Sequence, residues 1–210
     1  MGIKPLKCTI VSGAPVENYS FLKENVDLSS FIIAADSGYV TCRKAGIPVN
    51  LIIGDFDSSP KPTADCEIIT LPCEKDDTDT FSCIKEAIKR GFDEIAIFCA
   101  AGSRLDHTYS NIVCLDYCNR SNIYAYILNE NNKVFVSSKD IILKKDKYKF
   151  FSVFSFSDCV EGLTIKGAKY ETEDKTVYSY QSFGQSNEFL NDDVEISFKK
   201  GTILLFLSND

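Results

Sequence analysis

The sequence predicts an α/β N-terminal domain with a mainly parallel sheet, followed by an all-β C-terminal sandwich domain. Along the first 130 residues, short apolar runs alternate with segments of helical periodicity. This alternation is typical of a parallel sheet covered by helices. From about residue 133, short strand-like runs follow one another between Asp, Lys and Gly turns, with no helical period. That pattern is typical of antiparallel sheets.

The predicted strands of the first domain are apolar throughout, as expected for strands that are buried on both faces. Two amphipathic helices are predicted between them, over 79–91 and 107–120. In the first helix, apolar residues recur at helical spacing and basic residues precede Gly91, a pattern typical of a helix end. The predicted strands are 8–13, 31–36, 50–55, 66–72, 94–100 and 122–128.

The strand-like runs of the second domain differ in pattern from those of the first. Val194 and Ile196 alternate with polar neighbours, which indicates a strand with one face in solvent. The change in pattern places one domain over 1–132 and the other over 138–210. The predicted strands of the second domain are 133–138, 147–157, 162–167, 175–180, 194–198 and 201–209.

Composition excludes several classes of protein. The net charge of −7 argues against a surface that binds nucleic acid. No apolar run approaches the roughly 20 residues that a membrane helix needs. Nine cysteines with no CxxC pair favour buried thiols in a reducing compartment over disulfides or structural zinc. We therefore expect a soluble, cytoplasmic protein with neither nucleic acid nor membrane as a partner.

Aspartates cluster just after the carboxyl ends of four predicted strands. Because the carboxyl ends of parallel strands share one edge of a sheet, we expect these side chains to meet in one cleft. Two carboxylates 4 Å apart repel by about 4 kcal/mol at an effective dielectric near 20, so a cation is expected among them. The aspartates are Asp36, Asp55, Asp57, Asp76, Asp77, Asp79 and Asp106.

The ligands in this cluster are hard oxygens, because the chain has one histidine and no thiolate pair. Such ligands select magnesium, with calcium as the alternative, over zinc or copper. Magnesium is usually completed by substrate phosphates, which favours a nucleotide polyphosphate and phosphoryl or pyrophosphoryl transfer. Gly13 lies in a strand-end turn that is able to meet phosphate, and no P-loop motif is present. Lys75 and Arg104 adjoin the acids and are the expected cations for the moving group.

Each acidic group taken alone also has a structural explanation. Asp77, Thr78 and Asp79 are placed to cap the helix that follows them. His107, at a helix start, is more typical of a hydrogen-bonded structural residue than of a base. The occurrence of acidic groups at several successive strand ends is what favours a shared site.

Six short motifs in a fixed order resemble the thiamine pyrophosphokinase family, and they span nearly the whole chain. They are AADSG (34–38), GDFDSS (54–59), EKDDTDT (74–80), GSRLDHT (102–108) and GLTIKGAKY (162–170) with SNE (186–188). The resemblance implies transfer of a pyrophosphoryl group from ATP to the thiamine hydroxyl, with Mg²⁺, giving thiamine diphosphate and AMP. It also implies a homodimer with active sites at the interface.

The resemblance further implies roles for individual residues. The metal is held by Asp55, Asp57 and Asp79, and the catalytic set also includes Asp76, Arg104 and Asp106. The expected nucleotide contacts are Gly13, Asp36, Lys75, Arg104 and His107, and the expected thiamine contacts are Ser186 and Asn187.

Two features of this site stay open from the sequence. The acceptor of the hydroxyl proton is an aspartate, with Asp57 and Asp76 as the candidates. The chain has no tryptophan to stack on thiamine, which leaves Tyr178, Tyr180 and Phe183 as candidate aromatic faces.

Two other functions remain as alternatives. The first is a haloacid-dehalogenase-type phosphatase, in which Asp55 is the nucleophile and Asp57 the acid and base. The second is a non-catalytic protein that binds thiamine or a metal. Consumption of thiamine and Mg-ATP together distinguishes an enzyme from such a binding protein.

Overall fold

A computed structural model of the chain describes residues 5–56 and 62–210. The chain divides into two compact units, Met1–Glu130 and Asn131–Asp210. In the described ranges, no helix is both long and apolar enough to cross a membrane.

The first unit is a parallel sheet with helices between its strands. Its strands run in the order β6-β5-β1-β2-β3-β4, and every described pairing among them is parallel. The strands are β1 (Lys7–Val11), β2 (Phe31–Ala35), β3 (Leu51–Gly54), β4 (Glu67–Thr70), β5 (Glu94–Phe98) and β6 (Tyr124–Leu128). The helices are α1 (Tyr19–Asn25), α2 (Gly38–Ala45), α3 (Asp79–Lys89) and α4 (Leu105–Arg120).

All six predicted strands of this unit are present, and so are both predicted helices. The central strands β1, β2, β3 and β5 are almost wholly buried, as their apolar sequences predict. The prediction of burial on both faces is wrong for β4, which is half-exposed because it lies at the end of the sheet. Helices α1 and α2 were not predicted from the sequence, since seven and eight residues give too few turns for a clear period.

The connections of this unit reverse direction beside β1. The chain adds β2, β3 and β4 on one side of β1 and then returns to add β5 and β6 on the other. In open parallel sheets, such a reversal leaves a crevice at the carboxyl ends of the two strands involved. The fold therefore places a crevice where β1 and β5 end.

The second unit is built of antiparallel sheets. One contains the order β12-β9-β14-β7 and the other the order β11-β10-β13-β8. The strands are β7 (Asn132–Ser137), β8 (Ile141–Lys144), β9 (Phe150–Ser155), β10 (Cys159–Lys166), β11 (Thr172–Tyr178), β12 (Asn187–Glu188), β13 (Asp193–Ser197) and β14 (Ile203–Ser208). The predicted fold class is confirmed, although β8 and the two-residue β12 were not predicted.

Close packing at the start of α2 requires a glycine. A Cβ atom on Gly38 would lie 2.1 Å from the carbonyl oxygen of Val11, at the end of β1. This oxygen belongs to the backbone of a central strand and has little freedom to move. Gly38 therefore lets α2 begin directly against the end of β1.

We expect Gly38→Ala to lower the free energy of unfolding by about 1–3 kcal/mol, because the added methyl group overpacks this contact. Urea unfolding of the purified protein measures the change. Lys44→Ala, at an exposed position of the same helix, is the control and should change the free energy of unfolding by less than about 0.5 kcal/mol. Equal midpoints for Gly38→Ala and the unsubstituted protein would contradict the prediction.

Candidate active site

A cleft of about 390 Å³ opens at the carboxyl ends of β1, β2 and β5. Its walls include the first residues of α3 and α4, so two helix N-termini face it. This is the crevice that the reversal of connections beside β1 creates, and ligands bind at such positions in open α/β sheets. The lining includes Gly13, Asp36, Asp79, Arg104 and His107.

The turn after β1 is held on two sides. The amide of Ser12 donates to the carbonyl of Phe98 at 2.9 Å, and the Ser12 hydroxyl accepts from Thr80 Oγ1 at 2.9 Å. A Cβ atom on Gly13 would lie 2.6 Å from Ser37 Oγ, so a larger residue in this turn would require the Ser37 side chain to move. These contacts join the ends of β1, β2 and β5 to the start of α3 and fix the floor of the cleft.

Asp36 occupies an unusual position at the end of β2. Its φ of 45° is left-handed, and its amide donates to the carbonyl of Ile53 at 2.8 Å. A Cβ atom on Gly54 would lie 3.0 Å from Asp36 Cα, so the glycine of the GDFDSS motif lets the two strand ends approach. Asp36 Oδ1 is buried and has no hydrogen-bond partner among the described residues. A buried carboxylate oxygen in this state is costly, which suits a site that receives a cation or a donor.

Lys75 joins two of the aspartates that the sequence places at separate strand ends. Its ammonium group donates a hydrogen bond to Asp55 Oδ2 and lies 3.1 Å from Asp79 Oδ1. The Lys75 and Asp55 side chains are only 14% and 12% exposed. Asp55 directly follows β3, whereas Asp79 is the first residue of α3, and Lys75 supplies the positive charge between them.

Burial and neighbouring charges shift the ionisation of this group. The pKa of Asp79 is raised because burial penalises its charge and because Asp55 and Asp36 repel it, although Lys75 acts in the opposite direction. Burial acts to lower the pKa of Lys75, but its hydrogen bonds and charge contacts with Asp55 and Asp79 outweigh this and raise it. Lys75 therefore remains an ammonium ion at neutral pH.

A second cation stands at the mouth of the cleft. Arg104, the residue before α4, binds Asp106 through two contacts, Nη2 to Oδ2 at 2.6 Å and Nε to Oδ1 at 3.2 Å. Both side chains are exposed, and only Arg104 lines the cleft. Asp106 therefore orients the guanidinium group while leaving it open to solvent.

Several predicted site residues are not brought into this cluster. Asp57 lies outside the described residues. Asp76 is exposed and is not part of the cleft lining, while Asp77 pairs with Lys85 at 2.6 Å near the start of α3. Within 5–56 and 62–210, no group of three or more His, Cys, Asp or Glu side chains is arranged to hold a metal.

Ser186 and Asn187 belong to the second unit. Asn187 is only 3% exposed, and its side-chain oxygen accepts from the amides of Tyr170 and Glu188, both at 2.9 Å. Its Nδ2 group donates to the carbonyl of Tyr170 at 2.8 Å. The Ser186 amide donates to Ser152 Oγ at 3.0 Å. Asn187 therefore fixes the backbone at the end of the GLTIKGAKY motif.

Sequence reasoning gave no role to two buried polar side chains of the cleft, Thr80 and Asn111, and considered Ser12 only for its backbone amide. Ser12, Thr80 and Asn111 are buried, and Asn111 Nδ2 donates to the carbonyl of Ala100 at 2.7 Å. Thr80 ends the EKDDTDT motif, but its hydrogen bond joins residues 68 positions apart, which no local pattern shows. Asn111 follows His107 by one helical turn, and this spacing is a signal that was available in the sequence.

The fold and the cleft define a class of protein. A switch-point cleft lined by Asp36, Asp79, Arg104 and two helix N-termini, with Lys75 beside it against Asp79, is suited to a polyphosphate and its counter-ions. Binding of such a group is the requirement of a phosphoryl or pyrophosphoryl transferase. Residues 22–127 match the family model for the thiamin pyrophosphokinase catalytic domain. Residues 139–203 match the model for the thiamin pyrophosphokinase vitamin B1 binding domain. The chain belongs to the thiamin pyrophosphokinase family, and the predicted resemblance is confirmed.

Individual relatives agree with this assignment along nearly the whole chain. Thiamine pyrophosphokinase of Bacillus subtilis (strain 168) is 29% identical over 209 residues, which cover 96% of this chain and 98% of the relative. The crystal structure of thiamine pyrophosphokinase from Bacillus subtilis matches with a TM-score of 0.90 at 27% identity, covering 97% of this chain and 99% of that one. For the Geobacillus thermodenitrificans structure the TM-score is 0.85 at 25% identity, with 97% and 98% covered. The yeast structure, at 13% identity and a TM-score of 0.79, shares the fold, with 99% and 87% covered.

The Arg104–Asp106 pair gives a testable pH dependence. Hydrogen bonds from Arg104 lower the pKa of Asp106 to about 2. We expect Arg104→Gln to raise that pKa back toward the ordinary aspartate value. In the unsubstituted protein, the contribution of the pair to folding is present above the ordinary carboxyl pKa and is lost as the pH falls toward about 2.

Carboxyl-detected NMR titration of Asp106 measures this shift. Arg120→Gln removes a comparable exposed pair with Asp116 and is the control, since it should leave the pKa of Asp106 unchanged. The prediction fails if Asp106 still titrates near pH 2 in Arg104→Gln.

Proposed function

We propose that this protein is a thiamine pyrophosphokinase, which transfers the pyrophosphoryl group of ATP to the hydroxyl group of thiamine and releases thiamine diphosphate and AMP. The match of both units to the two family models carries the proposal. The same match disfavours a haloacid-dehalogenase-type phosphatase that uses Asp55 as nucleophile. It also disfavours a non-catalytic binding protein, because the matched region includes the family's catalytic domain.

The phosphates of ATP bind in the switch-point cleft of the first unit, the nucleotide and metal domain predicted over 1–132. The starts of α3 and α4 and the turn at Gly13 line this cleft, and helix N-termini attract anions. Lys75 and Arg104 supply positive charge, and His107 lines the same wall. This arrangement supports binding of a polyphosphate at the sheet edge.

The donor set fits a divalent cation. Asp55 and Asp79 present carboxylate oxygens near each other, and the unpartnered, buried Asp36 Oδ1 belongs to the same acidic group. Oxygen ligands of this kind select magnesium. Asp55, Asp57 and Asp79 would hold the Mg²⁺ ion, which when bound neutralises charge on the phosphates.

The chain's own groups contribute orientation and charge. Arg104, held by Asp106, stabilises the charge that develops on the transferred group. Asp57 and Asp76 are the candidate acceptors of the thiamine hydroxyl proton. Asp76 is exposed and has no ion pair with another described residue, so its carboxylate is chemically available.

Thiamine binds to the second unit, the domain predicted over 138–210, through Ser186 and Asn187. Of the three candidate aromatic faces, Tyr178 and Tyr180 form an exposed stacked pair with ring centroids 5.3 Å apart. Phe183 is covered by Lys175, whose Nζ lies 4.0 Å from its ring centroid. The tyrosine pair is therefore the better candidate for a flat ring of the substrate.

Removal of the buried carboxylates tests the proposal. We expect Asp55→Ala and Asp79→Asn to reduce the rate of AMP formation from thiamine and ATP by about a thousandfold or more, because charge handling supplies most of the catalysis. The assay measures AMP with and without thiamine, and with magnesium removed by a chelator. We expect AMP formation to require both thiamine and magnesium.

Asp77→Asn is the matched control, since Asp77 lies in the same EKDDTDT motif as Asp79 but pairs with Lys85 at the surface. Its rate of AMP formation should stay near that of the unsubstituted protein, and circular dichroism should show all three variants folded. Near-normal turnover in Asp55→Ala would refute the assignment. Trapping of a phosphorylated Asp55 would favour the phosphatase.

We also propose a homodimer with active sites at the interface. Helix α4 carries an apolar stripe at four-residue spacing, whose members are 40% to 78% exposed. The stripe begins beside Arg104 and His107, so a partner that covers it adjoins the cleft. The stripe consists of Leu105, Tyr109, Val113 and Tyr117.

A charge in this stripe should disrupt the dimer. We expect Tyr109→Glu to give a monomer, because burial of a carboxylate in an apolar interface is unfavourable. Light scattering after size-exclusion chromatography measures the mass. Val40→Glu, at an exposed apolar position on α2, is the control and should keep the dimer. A dimer that persists unchanged in Tyr109→Glu would rule out this helix face.

A cytoplasmic location is part of the same proposal. All nine cysteines lie in the described ranges, and all are free thiols. Burial raises the pKa of Cys8, Cys42 and Cys99 to about 12, which keeps these thiols protonated and unreactive. Free thiols of this kind are typical of a reducing compartment.

A further inference from the structure

Lys75 occupies a position among the carboxylates that a cation is expected to fill. Its ammonium group contacts Asp55 and Asp79, the two described residues that we propose as metal ligands. Asp36 adds a third negative charge to the same surroundings, since its charge raises the pKa of Asp79. The side chain of Lys75 therefore already performs, in the protein alone, part of the charge compensation that a bound cation would perform.

The other described ion pairs of lysines are more exposed. Lys85 pairs with one carboxylate, Asp77, at 2.6 Å and its side chain is 44% exposed. Lys7 lies 3.8 and 3.6 Å from two carboxylates, and its side chain is 37% exposed. Lys75 contacts two carboxylates and is 14% exposed, the lowest exposure of any cation in the described ion pairs. A lysine buried among acids loses hydration and conformational freedom, which a solvent-exposed pair keeps. Lys75 thus compensates the charge of two partly buried carboxylates, unlike a lysine in an exposed surface ion pair.

We propose that Lys75 holds the place of the divalent cation in the metal-free protein and is displaced from Asp55 and Asp79 when the cation binds. This inference rests on the proposed function and adds a role for Lys75 beyond nucleotide contact. The displaced ammonium group becomes available to the phosphates of ATP, which enter the adjoining cleft.

Electrostatics explains why the two cations exclude each other. Asp55 Oδ2 accepts a direct hydrogen bond from Lys75, so the ammonium group occupies an oxygen that would hold the cation. An ammonium and a dication a few ångströms apart also repel, by several times RT in the partly buried setting of this site. The lysine has a flexible four-carbon stem, so it can leave while its backbone stays in place.

Displacement also has a use in the reaction cycle. Without a counter-ion, the acids at the strand ends would repel one another and open the cleft. With Lys75 in place, the ends of β2, β3 and β4 stay together before substrate arrives. When Asp55 and Asp79 hold a cation, the ammonium group of Lys75 would leave them and carry its positive charge to the adjoining cleft.

Amine labelling of the full-length protein tests the displacement without any measurement of activity. The protein is treated with an acetylating reagent at fixed pH, with and without Mg²⁺ and in the absence of nucleotide. Mass spectrometry of proteolytic fragments then gives the labelling rate of each lysine. We expect Lys75 to react slowly in the metal-free protein and several-fold faster with Mg²⁺, whereas Lys85 should react at the same rate in both.

A variant without the Lys75 ammonium group tests whether Lys75 and Mg²⁺ compete for the same carboxylates. We expect Lys75→Met to bind Mg²⁺ about tenfold or more tightly than the unsubstituted protein, because no ammonium group has to be expelled. Isothermal titration calorimetry with Mg²⁺ alone measures the affinity. Lys85→Met is the matched control and should leave the affinity unchanged.

The outcomes separate this inference from the proposed function. If Mg²⁺ binds by calorimetry but the labelling rate of Lys75 does not change, the displacement is refuted, while the AMP assay still decides the function. If Lys75→Met binds Mg²⁺ no more tightly than Lys85→Met, the competition is refuted as well. Absence of Mg²⁺ binding in the unsubstituted protein overturns the displacement together with the proposed metal site.

Discussion

The candidate site depends on how the protein compensates the charge of acids that meet at the sheet edge. Asp36, Asp55 and Asp79 follow or adjoin three different strand ends, and they share a partly buried volume in which like charges are costly. Lys75 supplies the opposing charge in the protein alone. Burial raises the pKa of Asp79, and Asp55 and Asp36 add to this effect, although Lys75 acts in the opposite direction.

Besides charge compensation, the site requires its residues to lie close together, and the topology of the sheet brings them together. The chain reverses its order beside β1, so the ends of β1 and β5 leave a crevice between their outgoing connections. Glycines permit the close contacts around it: Gly13 faces Ser37, Gly38 faces Val11, and Gly54 faces Asp36. Each of these contacts is too short to accept a Cβ atom without movement. The cleft thus results from backbone packing, and the charged side chains are placed on a framework that has little freedom.

The second unit uses its polar residues differently. Asn187 is buried, and its amide is engaged with the backbone of Tyr170 and Glu188, so its first role is to hold a turn. The exposed Tyr178–Tyr180 pair is the part of this unit that offers a flat apolar surface to solvent. A thiamine contact at this unit would therefore combine a rigid turn with an aromatic face. The division of chemistry between an acidic cleft and an aromatic surface suits a substrate pair of a polyphosphate and a heterocycle.

The sequence alone determined the fold class and the acidic character of the site, because both depend on local patterns. Apolar runs without alternation predict buried parallel strands, and aspartates after those runs must lie at one sheet edge. Tertiary structure decided which of these acids meet. Asp55 and Asp79 both contact Lys75, whereas Asp77 pairs with Lys85 and Asp76 is exposed. The sequence of residues 76–79 does not reveal which of its aspartates contacts Lys75. The reason is that Lys75 is held by Asp55, which is 20 residues away at the end of a different strand, and no local sequence pattern encodes that contact.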